Sequence, residues 1–186
     1  MIKKLREFHS PEEIAQIYAQ PHDHRIYGRG HNIRVEMTKI IAKDIAWQVD
    51  AKSVADLSCG NGEIAKSLGL ETTILGDYAP GYEYSGALEN NIDEIPNVDL
   101  YICSETLEHL EEPSKMLSRI RAKTKGLVLT TPIDAWGDTN EEHYWAWNRN
   151  MIEFMFEKHG FTVEVFIPLD STLFGEPYIY GIWGCK

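Results

Sequence analysis

The sequence predicts an α/β fold: a seven-stranded mixed sheet with its last strand antiparallel and helices on both faces. Three observations predict it. From about residue 50 onward, short apolar runs alternate with segments of helical period, the pattern of parallel strands joined by crossover helices. The first of these runs leads straight into a glycine-rich turn and a helix start, "VADLSCGNGEIAKSL" (54–68). The last two runs, "FTVEVFIP" and "YIYGIWG", are joined by a loop from Pro168 to Pro177 without a helical segment. A short link of that kind joins antiparallel neighbours, whereas parallel ones need a crossover.

Taken in order, Ser10-Pro11-Glu12-Glu13 is a helix start. Serine is the N-cap, proline fits the first turn, and the acids meet the positive end of the helix dipole. This helix runs to about Ala19, and "QPHDHRIYGRGHN" breaks it with Pro21, Gly28 and Gly30. Ile33, Met37, Ile40, Ile41, Ile45 and Val49 then recur at helical spacing. Strands follow over Ser53–Leu57, Thr72–Gly76, Tyr82–Ser85, Val98–Cys103 and Gly126–Pro132. Helices are expected over Glu63–Leu68, through Leu107 and Leu110, after Pro113 with Met116, Leu117 and Ile120, and over Arg149–Gly160, which a glycine ends.

Length and composition set limits. At 186 residues the chain predicts one domain, with residues 1–49 as amino-terminal helices and a lid. No apolar run approaches the ~18 residues of a membrane span. The basic start "MIKKLREFHS" has no apolar run behind it, which argues against a signal peptide. Cys59, Cys103 and Cys185 are odd in number and scattered, which suits reduced thiols in a cytoplasmic protein. A net charge of −11 disfavours extended nucleic-acid binding, because phosphates call for a basic patch. Lys115, Arg119, Arg121, Lys123 and Lys125 form the basic cluster and read as a solvated helix face.

The turn Ser58-Cys59-Gly60-Asn61-Gly62 lies where such sheets bind ligands, beyond the carboxyl end of the first strand of the set. Glycine lets a ligand approach the backbone, and the helix start offers free N–H groups. Alone, the turn fits either a nucleotide site or a mere tight turn. Asp77 closes the neighbouring strand, where a carboxylate can accept both hydroxyls of a ribose. Asp56, at the end of the first strand, is costly to bury unless it meets donors or a positive group. A pyrophosphate ligand would repel it; a ligand bearing an ammonium and a sulfonium would not.

These residues resemble the class I S-adenosylmethionine-dependent methyltransferases, whose fold is Rossmann-like. "VADLSCGNG" resembles their first motif and "TILGDYAP" their second. "VDLYICSETLEHL" resembles the fourth strand and its exit, "GLVLTTP" the fifth strand, and "EHYWAWNRNMIEFMFEKHGF" the entry to the last helix. The resemblance covers roughly residues 50 to 186 in the family's order. It implies S-adenosyl-L-methionine as cofactor, held by Asp56, Ser58, Cys59, Gly60, Gly62, Asp77 and Tyr78, with Ala87 and Leu88 at the adenine and Ser104 and Glu105 at the fourth strand's exit. The segment "HDHRIYGRGHNIR" reads either as a surface connector or as a lid, from which Tyr27, His31 or Arg34 would approach the donor's carboxylate. Two positions depart from the family. Ser58 stands where a first glycine is common, and Ala87 stands where many members have an aspartate, leaving adenine to backbone groups.

"SETLEHL" places Glu105, Glu108 and His109 at i, i+3 and i+4, one face if the segment is helical. Three readings stand side by side. Glu105 orients the loop while His109 packs at the rim. Or His109 is a general base, its ordinary pKa of about 6.5 suiting proton removal near neutrality. Or Glu105, Glu108, His109 and His143 bind a divalent cation, Mg or Mn. The last pattern resembles the small-RNA terminal 2′-O-methyltransferases and the ubiquinone-pathway O-methyltransferases. His22-Asp23-His24 reads as solvated histidines. Trp136, Tyr144, Trp145 and Trp147 make an aromatic wall, for stacking or for covering the core edge.

The expectation is therefore methyl transfer, at oxygen, to a small-molecule, sugar or terminal acceptor, with His109 and His143 as the catalytic residues. A donor-binding regulatory subunit is the alternative of another class. A dinucleotide oxidoreductase fits less well: the chain is short for two domains and contains no Tyr-x-x-x-Lys.

Overall fold

In a computed structural model, residues 1–19 and 28–186 are described. The strands are β1 (Ile2–Lys4), β2 (Ser53–Asp56), β3 (Thr72–Asp77), β4 (Tyr84–Ser85), β5 (Val98–Ser104), β6 (Thr124–Ile133), β7 (Trp145–Trp147), β8 (Val163–Asp170) and β9 (Ile179–Cys185). The helices are α1 (Pro11–Ile17), α2 (Arg29–Gln48), α3 (Glu63–Lys66), α4 (Leu88–Asn91), α5 (Pro113–Lys123) and α6 (Arg149–Lys158). Single 3-10 turns cover Leu107–His109 and Ser171–Phe174.

Among the described residues, seven strands form one sheet in the order β4-β3-β2-β5-β6-β9-β8. Every pairing from β4 to β6 is parallel, and β9 runs antiparallel to both β6 and β8. The predicted fold class holds. So does the reason for its odd strand: the link from β8 to β9 is too short for a crossover. Both faces of the sheet are covered, so strand side chains alternate between two cores. Leu100 and Ile102 of β5 pack with Ile41, Ala42 and Ile45 of α2. Tyr101 and Cys103 pack on the other face with Leu117 and Ile120 of α5 and Ile152 and Phe156 of α6.

The amino-terminal cap forms as its residues dictate. Ser10 accepts the Glu13 N–H at 3.3 Å, and the Glu13 carboxylate accepts the Ser10 N–H at 2.7 Å. At the other end of the chain, α6 stops where Gly160 turns left-handed at φ 77°. The basic cluster is spent locally. Lys115 pairs with Glu112, Arg119 with Asp93 and Lys125 with Asp99. Lys123 and Arg121 donate to backbone carbonyls.

Four expectations need correction. Gly30 does not break a helix; it lies in the first turn of α2, which begins at Arg29 rather than near Ile33. Its missing side chain makes room for Glu176, since a Cβ there would meet Glu176 Oε2 at 2.6 Å and the Ser171 Cβ at 2.9 Å. Glu176 in turn accepts the His31 N–H at 3.0 Å, capping α2 from outside. Ile40, expected in the apolar stripe of α2, faces solvent.

The predicted helix through Leu107 and Leu110 is one 3-10 turn, because Glu105 is left-handed at φ 52° and Leu110 is already extended. Pro113 then starts α5 anew, holding Glu112 out of the helical region. Glu105, Glu108 and His109 therefore share no helical face. Finally, β1 and β7 pair antiparallel in a small separate sheet that the sequence reading did not contain. Among the described residues, no helix is long and apolar enough to cross a membrane.

Candidate active site

The carboxyl ends of β2, β3 and β5 open onto a cavity of about 520 Å³, within the range of small-molecule sites. Its floor carries Ser58, the first residue of the turn after β2. Gly60 and Gly62 take φ of 56° and 74°, a left-handed geometry that side chains resist. The turn is pinned from β3. Asp77 accepts the Gly60 N–H at 2.8 Å with one carboxylate oxygen and the Ala79 N–H at 3.0 Å with the other. The Tyr82 hydroxyl donates to the Gly60 carbonyl at 2.6 Å. Asp77 is buried yet reaches the cavity wall, and each of its oxygens keeps accepting capacity for a ligand.

Asp56 sits behind this floor, almost wholly buried, with the Ser58 N–H at 3.2 Å. Burial pushes its carboxyl up to about 7, the Asp77 charge adds to the rise, and the Ser58 N–H opposes it. The Cys59 thiol is likewise pushed up to about 12 by burial, which leaves it unreactive. Ser58 faces the cavity, its hydroxyl 2.7 Å from that of Thr106. Tyr78, Ala87, Leu88, Glu105 and His109 also line the cavity.

Glu105 marks the exit of β5. A non-glycine residue in the left-handed region costs on the order of 1–2 kcal/mol and persists only where its surroundings enforce it. Thr130 does so here. Its carbonyl accepts the Glu105 N–H at 2.9 Å, and its hydroxyl donates to Glu105 Oε1 at 3.0 Å.

Arg34 lies beneath this corner. It is fully buried, donates to the Ser104 and Thr130 hydroxyls at 2.8 and 3.2 Å, and stands 3.9 Å from Glu105 Oε1. His31 is 3.2 Å from the same guanidinium. Arg34 and Ser104 thus shape the cavity wall from behind and do not line it. Of the remaining predicted positions, Asp56, Cys59, Gly60 and Gly62 also lie behind the lining. Tyr27 and the His22-Asp23-His24 triplet lie outside the described residues.

Beside the cavity is a second cluster. Glu108, His109 and His143 each offer a ligand atom, all within 4.8 Å of one another, and could hold a metal ion. Glu105 is not part of this group, because its left-handed backbone turns it toward Thr130 instead. Glu108 is almost wholly buried. Thr131 donates to its Oε2 at 3.0 Å, while its Oε1 has no hydrogen-bond partner. Burial, and next the charge of Glu105, hold its carboxyl far above the usual range. Asp138 accepts from or shares a proton with His143 Nδ1 at 2.6 Å and also accepts the Tyr178 hydroxyl at 3.0 Å, so the imidazole is oriented from behind. The His109 and His143 rings meet edge to face at 4.8 Å.

The roof is α1; the expected lid lay within residues 1–49 but on the segment 22–34 rather than on this helix. Pro11, Ile14 and Tyr18 face the cavity. The Tyr18 hydroxyl is 3.0 Å from His109 Nδ1, and its ring is 5.6 Å from that of Tyr78. The signal was present in the i, i+3, i+7 spacing of these three residues on a helix with no buried position of its own. Of the four residues of the aromatic wall, Tyr144 lines the cavity, Trp147 is core, Trp145 donates to the Leu110 carbonyl, and Trp136 is half-buried with its carbonyl accepting from Lys3.

No protein-family model and no curated protein sequence matches the chain. Solved structures do. The 1,6-didemethyltoxoflavin-N1-methyltransferase of Burkholderia thailandensis, with bound 1,6-didemethyltoxoflavin and S-adenosylhomocysteine, has TM-score 0.69 and 13% identity, over 99% of this chain and 93% of that one. The N-methyltransferase NodS of Bradyrhizobium japonicum WM9, in complex with S-adenosylhomocysteine, has TM-score 0.69 and 12% identity, over 95% and 98%. The [4+2]-cyclase SpnF has TM-score 0.67 and 10% identity, over 98% of each chain. At such identities the likeness is one of fold. SpnF shows that one fold carries more than one chemistry, so function must be argued from the site.

Proposed function

We propose that the chain is an S-adenosylmethionine-dependent methyltransferase acting on a small-molecule or terminal acceptor. One observation carries the reading: Asp77, at the end of β3, clasps the glycine turn while still facing a 520 Å³ cavity, on a fold shared with structures that hold S-adenosylhomocysteine. The Ser58–Gly62 turn and Asp77 would receive the nucleoside, with Ala87 and Leu88 against the adenine and the ribose hydroxyls on the carboxylate. The sulfonium then lies toward Glu105 and His109. Extended nucleic acid is a poor acceptor for so acidic a chain.

Methyl transfer asks little of side chains. The lone pair of the acceptor attacks the methyl carbon, the carbon–sulfur bond breaks, and sulfur leaves as a neutral thioether. The chain's part is alignment and exclusion of water, which α1 supplies as a roof. His109 takes the acceptor's proton, directly or through the Tyr18 hydroxyl at its Nδ1.

The test is calorimetry with S-adenosylmethionine and with NADH, followed by donor turnover on an acceptor panel. Binding of S-adenosylmethionine alone, with turnover, supports the proposal. Binding without turnover on any acceptor favours a regulatory subunit, and binding of NADH overturns the donor assignment.

A second reading has an observation of its own. Oε1 of buried Glu108, without a hydrogen bond and 4.0 Å from His109 Nε2, fits a divalent cation such as Mg or Mn together with His109 and with His143 held by Asp138. When bound, the cation would lower the pKa of an acceptor hydroxyl and so serve oxygen as nucleophile. Mn²⁺ should then raise the melting temperature of the resting protein, and His143→Ala should abolish the rise. A melting temperature indifferent to Mn²⁺ removes this reading.

A further inference from the structure

Five carboxylates lie in the cavity wall, Asp77, Glu89, Glu105, Glu111 and Glu112, and among its described residues there is no lysine or arginine. Neighbours offset part of this charge. Glu112 is paired with Lys115 at 2.7 Å, and Arg34 is 3.9 Å from Glu105. Glu89 and Glu111 have no ion-pair partner among the described residues. The wall also presents three tyrosines, Tyr18, Tyr78 and Tyr144. Aromatic faces and carboxylates are separate devices with the same preference, since both attract a cation. Beyond Asp77, which the donor reading gives to the ribose, the wall keeps Glu105, Glu111, Glu112, Tyr18 and Tyr144.

We infer that the acceptor is a small amine, bound as its ammonium and methylated at nitrogen. The inference rests on the donor reading above. The bound ammonium gives one proton to His109, and the freed lone pair forms the new nitrogen–carbon bond. The carbon–sulfur bond breaks with its electrons going to sulfur. The products are a methylated ammonium, S-adenosylhomocysteine and the one proton. Positive charge thus moves from sulfur to nitrogen, and carboxylates near the nitrogen hold it both in the bound ammonium and in the product. The same wall repels a carboxylate, a phosphate or a phenolate.

The experiment uses the complex with S-adenosylhomocysteine and triplets that share one skeleton. These are butylamine, butanol and butyrate; 2-phenylethylamine, 2-phenylethanol and phenylacetate; and glucosamine, glucose and glucuronate. The expected result is that the amine of at least one triplet binds about tenfold or more tighter than its alcohol and acid, a difference of the size seen for desolvated charge pairs. Glu111→Gln with Glu112→Gln should weaken that amine about threefold, as exposed charges do, and leave S-adenosylhomocysteine unchanged. An alcohol or acid that binds as well as its amine overturns the inference. So does a panel in which S-adenosylhomocysteine binds and no amine does. If S-adenosylhomocysteine itself fails to bind, the donor reading falls instead.

Discussion

Replacing Asp77 with asparagine changes one atom and tests two things. Each carboxylate oxygen of Asp77 accepts a backbone N–H, from Gly60 at 2.8 Å and from Ala79 at 3.0 Å. Asparagine offers one carbonyl oxygen, and its amide nitrogen would face the remaining N–H donor to donor. One charge-assisted bond is lost and one buried N–H is left unpaired, a cost of about 1–3 kcal/mol in fold stability. In the proposed donor pose, the same substitution removes the acceptor for two ribose hydroxyls and a negative charge facing a cationic donor. Another 1–3 kcal/mol in binding corresponds to a loss of about 5- to 150-fold in affinity. Urea unfolding reads the first effect. Calorimetry with S-adenosylhomocysteine, at a temperature where both proteins are folded, reads the second. If Asp77→Asn loses stability but binds the nucleoside as tightly as the parent, Asp77 is a turn anchor alone and the donor pose is wrong.

Other consequences follow from the same geometry. Asp56 holds its proton up to about pH 7 when folded, against about 3.8 when unfolded, so the folded state binds more protons between those values. Asp56 therefore contributes a fall in stability as pH rises from about 4 to 7, on the order of a few kcal/mol, which adds to the fall from the likewise raised Glu108 carboxyl. Asp56→Asn should flatten that slope in urea titrations, and an unchanged slope would assign the effect elsewhere. Gly30→Ala should destabilise α2 by about 1 kcal/mol despite alanine's helix propensity, because Ser171 and the capping Glu176 must yield. A stabilised variant in thermal melts would contradict this. Tyr18→Phe should lower kcat and shift the acidic limb of the pH–rate profile, because the hydroxyl beside His109 Nδ1 is gone. S-adenosylhomocysteine affinity should move little, and a pH profile identical to the parent's would remove Tyr18 from the proton path.

The glycine turn and its aspartates were legible because backbone needs and burial cost act locally. Gly60 and Gly62 are left-handed where the turn requires it, and Asp77 ends its strand beside them. The crossover helices and the antiparallel β9 were legible from connection length. The spacing of Glu105, Glu108 and His109 misled, since a helical face presumes helical backbone and Thr130 holds Glu105 left-handed from a different strand. Arg34 was read as a ligand contact because a charge on a helix gives no sign of depth. Only tertiary packing brings Ser104 and Thr130 to its guanidinium. β1 and β7 are three residues each, and all of β1 is exposed, so no alternation announces them. Gly30 shows the same limit in reverse: its role is set by Glu176, 146 residues further along the chain.

The most direct test is a crystal structure grown with S-adenosylhomocysteine. The account predicts the ribose hydroxyls on the Asp77 carboxylate, the adenine beside Ala87 and Leu88, and the sulfur facing Glu105 and His109 under Tyr18. A saturated crystal whose cavity holds no nucleoside, or holds one with its ribose remote from Asp77, contradicts it.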